Sequence, residues 1–336
     1  LLLDVAKLVA GIAILYWGAE WLIRGSAALA RALGVKPLVV GLTVVAYGTS
    51  APELSVATKT ALDHAQPIAL GTVIGSCAAN ISLILGLTAL ISPPTVDGRI
   101  IRREVPVLVG SAIAVPILFR NGVLSRLEGG LLVACAVVFT IVMVTVSARL
   151  APDDLDDEPA SGSSAAMTRS GQAAATGASI GGKGRPRTSP TSASMMSAFG
   201  LVLLLAGSYF LVEGGRAIGA SVGLSERMLG LTVIALSTAL PELISSLAAA
   251  SRGQSALAAG SVIGSNLLNV FLVLGVTAFL QPIRLGERMH LVDLVGLVVI
   301  TLLGVLVLRG SRKITRVEGA MLVAAYIAFL VCAALL

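Results

Sequence analysis

The sequence predicts an all-α membrane protein: ten transmembrane helices arranged as two inverted five-helix repeats, with broken helices at the midplane. Three observations predict it. Of 336 residues, 56% are hydrophobic and 12% charged, whereas soluble domains carry about a quarter charged. Apolar stretches of about 20 residues recur along the chain, the length a helix needs to cross roughly 30 Å of hydrocarbon. Residues 41–90 also repeat, without a gap, at 230–279, with about 22 of 50 positions identical.

The spans are expected at 3–23, 37–64, 67–92, 104–120, 125–149, 197–220, 226–251, 255–280, 289–308 and 314–336. In the first, Glu20 and Arg24 stand four apart and suit an interfacial ion pair. The second and seventh each carry an internal proline, Pro52 and Pro241. The third and eighth hold Gly71/Gly75 and Gly260/Gly264, GxxxG pairs small enough for close helix approach. The ninth opens near Asp293, expected at the membrane interface. The fifth and tenth open on matched stretches, RLEGG and RVEGA, where Glu128 and Glu318 suit a helix start. In the sixth, Glu213 and Arg216 look like a second interfacial pair.

Three domains follow. Residues 1–149 form the first repeat (motif 41–90), 150–196 a disordered linker, and 197–336 the second repeat (motif 230–279). The linker is rich in Ser, Ala, Gly, Pro and Thr. Its acidic run at 153–158 lacks the glycine and distal glutamate of a calcium loop. Five spans per half is an odd number. The second half therefore enters the membrane from the opposite side, as in many secondary transporters. With both termini outside, 16 of the 24 basic residues fall on the inner face, so the positive-inside rule puts the linker in the cytoplasm.

Several function classes drop out. The +6 net charge reflects basic loops, and aromatics are only 4%, so no nucleic-acid partner is expected. Cys77, Cys135 and Cys332 have no CxxC spacing and read as small buried residues. Two histidines, His64 and His290, offer little for a metal cofactor. Ser50 and Ser76 have no histidine at matching depth, so an intramembrane hydrolase is disfavoured. No cofactor and no obligatory protein partner are expected.

The stretch VVAYGTSAPELS at 44–55 and its counterpart VIALSTALPELI at 233–244 carry the chemistry. Pro52 cannot donate to the carbonyl of Gly48, and Pro241 cannot donate to that of Ser237, so each helix breaks. Freed carbonyls at membrane depth are tolerated only where they are buried in protein or line a cavity. Thr49, Ser50 and Thr238 add hydroxyls. Glu53 and Glu242 add carboxylates, each costing about 2.5–3.5 kcal/mol at mid-membrane. Hard oxygens of this kind suit Ca2+, Na+ or Mg2+. The second motif of each half, GTVIGSCAAN and GSVIGSNLLN, supplies Ser76, Asn80, Ser265 and Asn269.

At these residues the sequence resembles the sodium/calcium exchanger family, whose two alpha repeats GTSAPEL and STALPEL look like. The resemblance implies ten spans and one Ca2+ site flanked by Na+ sites. It implies that Glu53 and Glu242 are the Ca2+ carboxylates, joined by the backbone oxygens of Thr49 and Thr238. One Na+ site would use the Ala46 carbonyl, Thr49, Ser50, Glu53 and Ser76. The other would use the Ala235 carbonyl, Thr238, Glu242 and Ser265. Asn80 and Asn269 would line the central position. Two departures stand out. Ala239 replaces a serine ligand, which bears on a three-Na+ stoichiometry. Both central positions are Asn, which argues against K+ co-transport. The expected activity is Ca2+/Na+ antiport across a cell membrane by alternating access. The alternative is Ca2+/H+, or other divalent cation/H+, antiport on the same glutamates. A channel is disfavoured by inverted repeats with broken helices.

Overall fold

The computed structural model describes residues 2–32, 46–94, 98–150, 189–251, 255–285, 291–310 and 313–335. Residues 37–45 of the second span, 151–188 of the linker, Arg252 and His290 lie outside these. The first half comprises α1 (Leu2–Ala32), α2 (Ala46–Thr49), α3 (Ala51–Leu62), α4 (Gln66–Ala78), α5 (Leu85–Ile91), α6 (Gly98–Leu118) and α7 (Arg126–Leu150). The second comprises α8 (Pro190–Ser221), α9 (Glu226–Leu229), α10 (Ala235–Thr238), α11 (Leu240–Ser251), α12 (Ser255–Leu268), α13 (Gly275–Leu280), α14 (Leu291–Gly310) and α15 (Arg316–Leu335). Short helices join into spans through π-helical turns at Ala79–Ile84, Gly230–Ile234 and Asn269–Leu274.

Among the described residues, seven segments are long and apolar enough to cross a membrane unaided: Leu2–Ser26, Gln66–Ile91, Arg126–Thr145, Pro190–Ser221, Ala259–Leu280, Val292–Arg309 and Arg316–Leu335. The other three expected spans have visible reasons to fall short. The second and seventh are broken. The fourth carries Arg102, Arg103 and Glu104 near its start and prolines at 106 and 116. One boundary moves. α8 begins at Pro190 rather than 197, because Ser189 caps it by accepting the N–H of Ser192 and Pro190 suits the first turn. Residues 190–196 are thus helix, not linker; their Pro, Thr and Ser content made them read as part of the linker.

Glycines position the spans. α1 and α8 run antiparallel with glycines every seven residues, at 11, 18 and 25 against 200, 207 and 214. A Cβ on Gly11 would lie 2.4 Å from the Leu211 backbone nitrogen, and one on Gly200 2.4 Å from that of Leu22. The two backbones touch, as small-residue seams allow. The halves also interlock. A Cβ on Gly86 in α5 would meet the Gly319 carbonyl of α15 at 2.7 Å, and one on Gly129 in α7 the Gly275 carbonyl of α13 at 2.8 Å. The repeat relates these two contacts. Beside the second, β1 (Val123–Leu124) pairs antiparallel with β2 (Ile283–Arg284).

Several of the charges singled out in the sequence find partners. Glu128 accepts from Ser125 N–H at 2.8 Å and Glu318 from Thr315 N–H at 2.7 Å. Both are capping boxes, at the helix starts that the matched stretches suggested. Arg24 donates to Glu20 at 2.6 Å. Arg216 pairs with Glu226 at 3.2 Å rather than with Glu213. Asp293 departs most from expectation. It is not at a wetted interface but fully buried, and it takes a bidentate pair from Arg227, with Nε to Oδ2 at 2.5 Å and Nη2 to Oδ1 at 2.7 Å. The partner lies 66 residues away on α9, beyond the reach of local spacing arguments.

Candidate cation-binding site

The two breaks have the same geometry. Ser50 between α2 and α3 has φ −84°, ψ 1°, and Ala239 between α10 and α11 has φ −81°, ψ 1°. Pro52 and Pro241 sit in the first turn of the helix that restarts. Each restart carries a glutamate one residue later into the protein: Glu53 is 1% exposed and Glu242 2%.

The carboxylates cross over. Glu53 faces Thr238 of the second half, and Glu242 faces Thr49 of the first. Thr238 directs its own proton to the Ala235 carbonyl at 3.1 Å, and neither Glu53 oxygen has a hydrogen bond of normal geometry among the described residues. The Ser76 hydroxyl reaches the same Ala235 carbonyl at 3.4 Å. The Ala235, Ser76 and Thr238 oxygens therefore cluster beside Glu53. The grouping drawn from the resemblance keeps Ser76 and Glu53 with Ala46, Thr49 and Ser50, and these contacts add the Ala235 carbonyl and Thr238 to their surroundings. The reason is packing. α4 lies against α9 and the turn after it, so that a Cβ on Gly75 would be 2.5 Å from the Leu231 carbonyl. That brings Ser76, the next residue, to Ala235.

The other expected residues are mostly buried. Ser50, Asn80 and Thr238 are fully buried, Asn269 is 1% exposed and Ser265 5%; Thr49 is half-buried. Ala46 opens α2, and only its backbone is described. Asn80 and Asn269 lie in matched π-helical turns, a distortion that recurs at functional sites. Ser50 Oγ, both Asn80 amide atoms and Asn269 Oδ1 lack hydrogen-bond partners among the described residues. Buried polar atoms are rarely left so, and the three oxygens among them are available to a cation. No group of three or more His, Cys, Asp or Glu converges among the described residues, so the charge rests on two carboxylates and the rest is neutral oxygen.

Two features escaped sequence reasoning. Nothing in the letters marks a π-helical turn. Cys77, read as a packing residue, lies against the Asn269 side chain and within electrostatic reach of Glu53. The signal for Cys77 was its place next to Ser76 and its match to Asn266 in the repeat. A separate cavity of about 810 Å³ runs along α3 between α1 and α8, with several leucines, Lys59 and Asp63 among its lining residues. None of the expected ion ligands lines it.

The family model described as sodium/calcium exchanger protein matches residues 4–145 and 192–335, most of both halves. The chain belongs to the sodium/calcium exchanger protein family. It is a membrane transporter, not an enzyme. Within the family it is 31% identical over 331 residues to the inner membrane protein YrbG of Escherichia coli, covering 98% of this chain and 96% of the relative. It is 29% identical over 351 residues to the sodium/calcium exchanger MaX1 of Methanosarcina acetivorans, covering 96% of each. A solved structure of the sodium-calcium exchanger NCX_Mj, soaked with Na+ and Sr2+, superposes with a TM-score of 0.63 at 28% identity over 98% of both chains.

Proposed function

We propose that this exchanger-family chain moves Ca2+ against Na+ across a membrane by alternating access. The observation that carries the reading is the crossed pair of buried glutamates, each facing the threonine of the opposite half. The carboxylates sum to about −2 when ionised. One Ca2+ neutralises them, as do two Na+ or two protons, and the empty doubly charged site is the costly form to carry. Glu53, Glu242 and the backbone oxygens of Thr49 and Thr238 bind Ca2+. On this reading one Na+ site uses Ser76, the Ala235 carbonyl, Thr238 and Glu53, a grouping that the crossed contacts support. The mirror set is Ser265, the Ala46 carbonyl, Thr49, Ser50 and Glu242. Asn80 and Asn269 line the centre. The names of MaX1 and NCX_Mj support Na+ and Ca2+ as substrates. The bilayer is a cell membrane, with both termini outside and the linker cytoplasmic. Cysteine labelling from either side tests that orientation.

Ala239 supports a second reading, because the set that contains Ala235 lacks the hydroxyl that Ser50 gives its mirror. Protons would then replace Na+ on the same glutamates. Radioactive Ca2+ uptake into proteoliposomes separates the two. An outward Na+ gradient drives uptake in the first reading and only an outward proton gradient in the second. Glu53→Gln and Glu242→Gln are each expected to abolish uptake in a folded protein. Retained uptake in either variant refutes the carboxylate assignment.

A further inference from the structure

Among the described residues, Cys77 is the one cysteine near the site. The repeat sets GSC at 75–77 on GSN at 264–266, so a thiol stands where the other half has an amide. It is 2% exposed. Its Sγ lies 4.0 Å from the backbone carbonyl of Asn266, its own repeat counterpart. It therefore sits where the halves meet, against the Asn269 side chain and near the Glu53 carboxylate. An independent observation points to a ligand there. Both Glu53 oxygens and Asn269 Oδ1 are buried without hydrogen-bond partners. The other two cysteines stand apart: Cys135 is half-buried on α7 and Cys332 exposed on α15.

Ca2+ and Na+ are hard ions and gain little from sulfur, whereas thiophilic divalent ions favour it strongly. We propose that Cys77 gives the transport site a soft ligand, so that Cd2+ is held there by the thiolate and Glu53 and arrests exchange. On binding, a Cd–S bond forms, the S–H bond breaks, and the proton leaves to solution. The inference rests on the site assigned above, and it adds that this chain discriminates soft from hard divalent ions at residue 77.

The test uses the full chain carrying Cys135→Ser and Cys332→Ser, so that any cadmium–thiolate signal comes from Cys77. Cd2+ is titrated against Ca2+ uptake in proteoliposomes, and the ultraviolet charge-transfer band of Cd–S is read on purified protein. Adding Cys77→Ser should raise the Cd2+ concentration for half-inhibition by about tenfold or more, the scale of losing a metal's protein partner. It should remove the band, and the rise in the Cd2+ half-inhibition should exceed any accompanying change in the Ca2+ half-saturation. Equal inhibition with and without the thiol, or no Cys77-dependent band, overturns the proposal; Cd2+ would then compete on the carboxylates alone. If the chain carries no Ca2+ but shows a band that Cys77→Ser removes, the soft site stands and the exchange reading falls.

Discussion

At residue 50 the first half places a hydroxyl in the helix break, and at residue 239 the second half places a methyl in the same turn. One neutral oxygen on a cation is a modest interaction, about 1 kcal/mol net, or roughly fivefold in affinity. Ala239→Ser should lower the Na+ half-saturation of Ca2+ uptake by about that factor, and Ser50→Ala should raise it. Initial uptake rates across a Na+ titration check both. A second asymmetry concerns stability. Thr58 and Thr277 hydroxyls approach at 3.5 Å. The repeat partner of Thr277 is Thr88, but that of Thr58 is Leu247. Thr88 is accordingly buried with an unpartnered hydroxyl among the described residues. Thr88→Val keeps the shape and removes the unsatisfied group, so it should be neutral or stabilising by about 1 kcal/mol in detergent melting. The site letters themselves were legible, because proline, glycine and glutamate together make no sense in lipid and occur twice. Their crossing was not. A repeat shows which residues are equivalent, while contact across a two-fold axis depends on how α4 meets α10.

At the scale of elements, two contacts set how the helices are held. The α1–α8 seam leaves no room for a side chain, so Gly11→Ala must push the backbones apart. Overpacking of this kind costs about 1–3 kcal/mol, and a lowered melting temperature in detergent checks it. Gly110 provides the control, since nothing lies within 4 Å of a Cβ built there. The Arg227–Asp293 pair ties α9 to α14. Removing one partner strands a buried charge and costs about 3–5 kcal/mol, whereas replacing both with apolar residues is often neutral. Asp293→Ala should therefore destabilise strongly, and Arg227→Met with Asp293→Leu should recover most of the loss. The pair was illegible for a specific reason. The repeat counterparts are Leu38 and Glu104, so symmetry offered no second copy to recognise. The helix starts at Glu128 and Glu318 were legible because they depend on local sequence, although their capping partners Ser125 and Thr315 were not singled out.

At the scale of the whole molecule, the inverted repeat was readable from an odd span count and a 189-residue offset. How the halves engage was not, because glycine contacts such as Gly86 with Gly319 and Gly129 with Gly275 require the packed helices to be seen. These contacts, with the crossed glutamates, make each half incomplete alone. Residues 1–150 by themselves would bury Glu53 without Thr238, and 189–336 would bury Glu242 without Thr49. Expressed as two separate polypeptides, the halves should assemble and restore Ca2+ uptake, while either alone gives none. Failure of the co-expressed pair, with both halves inserted, would show that covalent linkage is required. Looked at this way, the crossed threonine–glutamate contacts make one polypeptide behave as a heterodimer of its own halves. Each half is the other's obligate subunit, and an extra copy of one cannot stand in for the loss of the other.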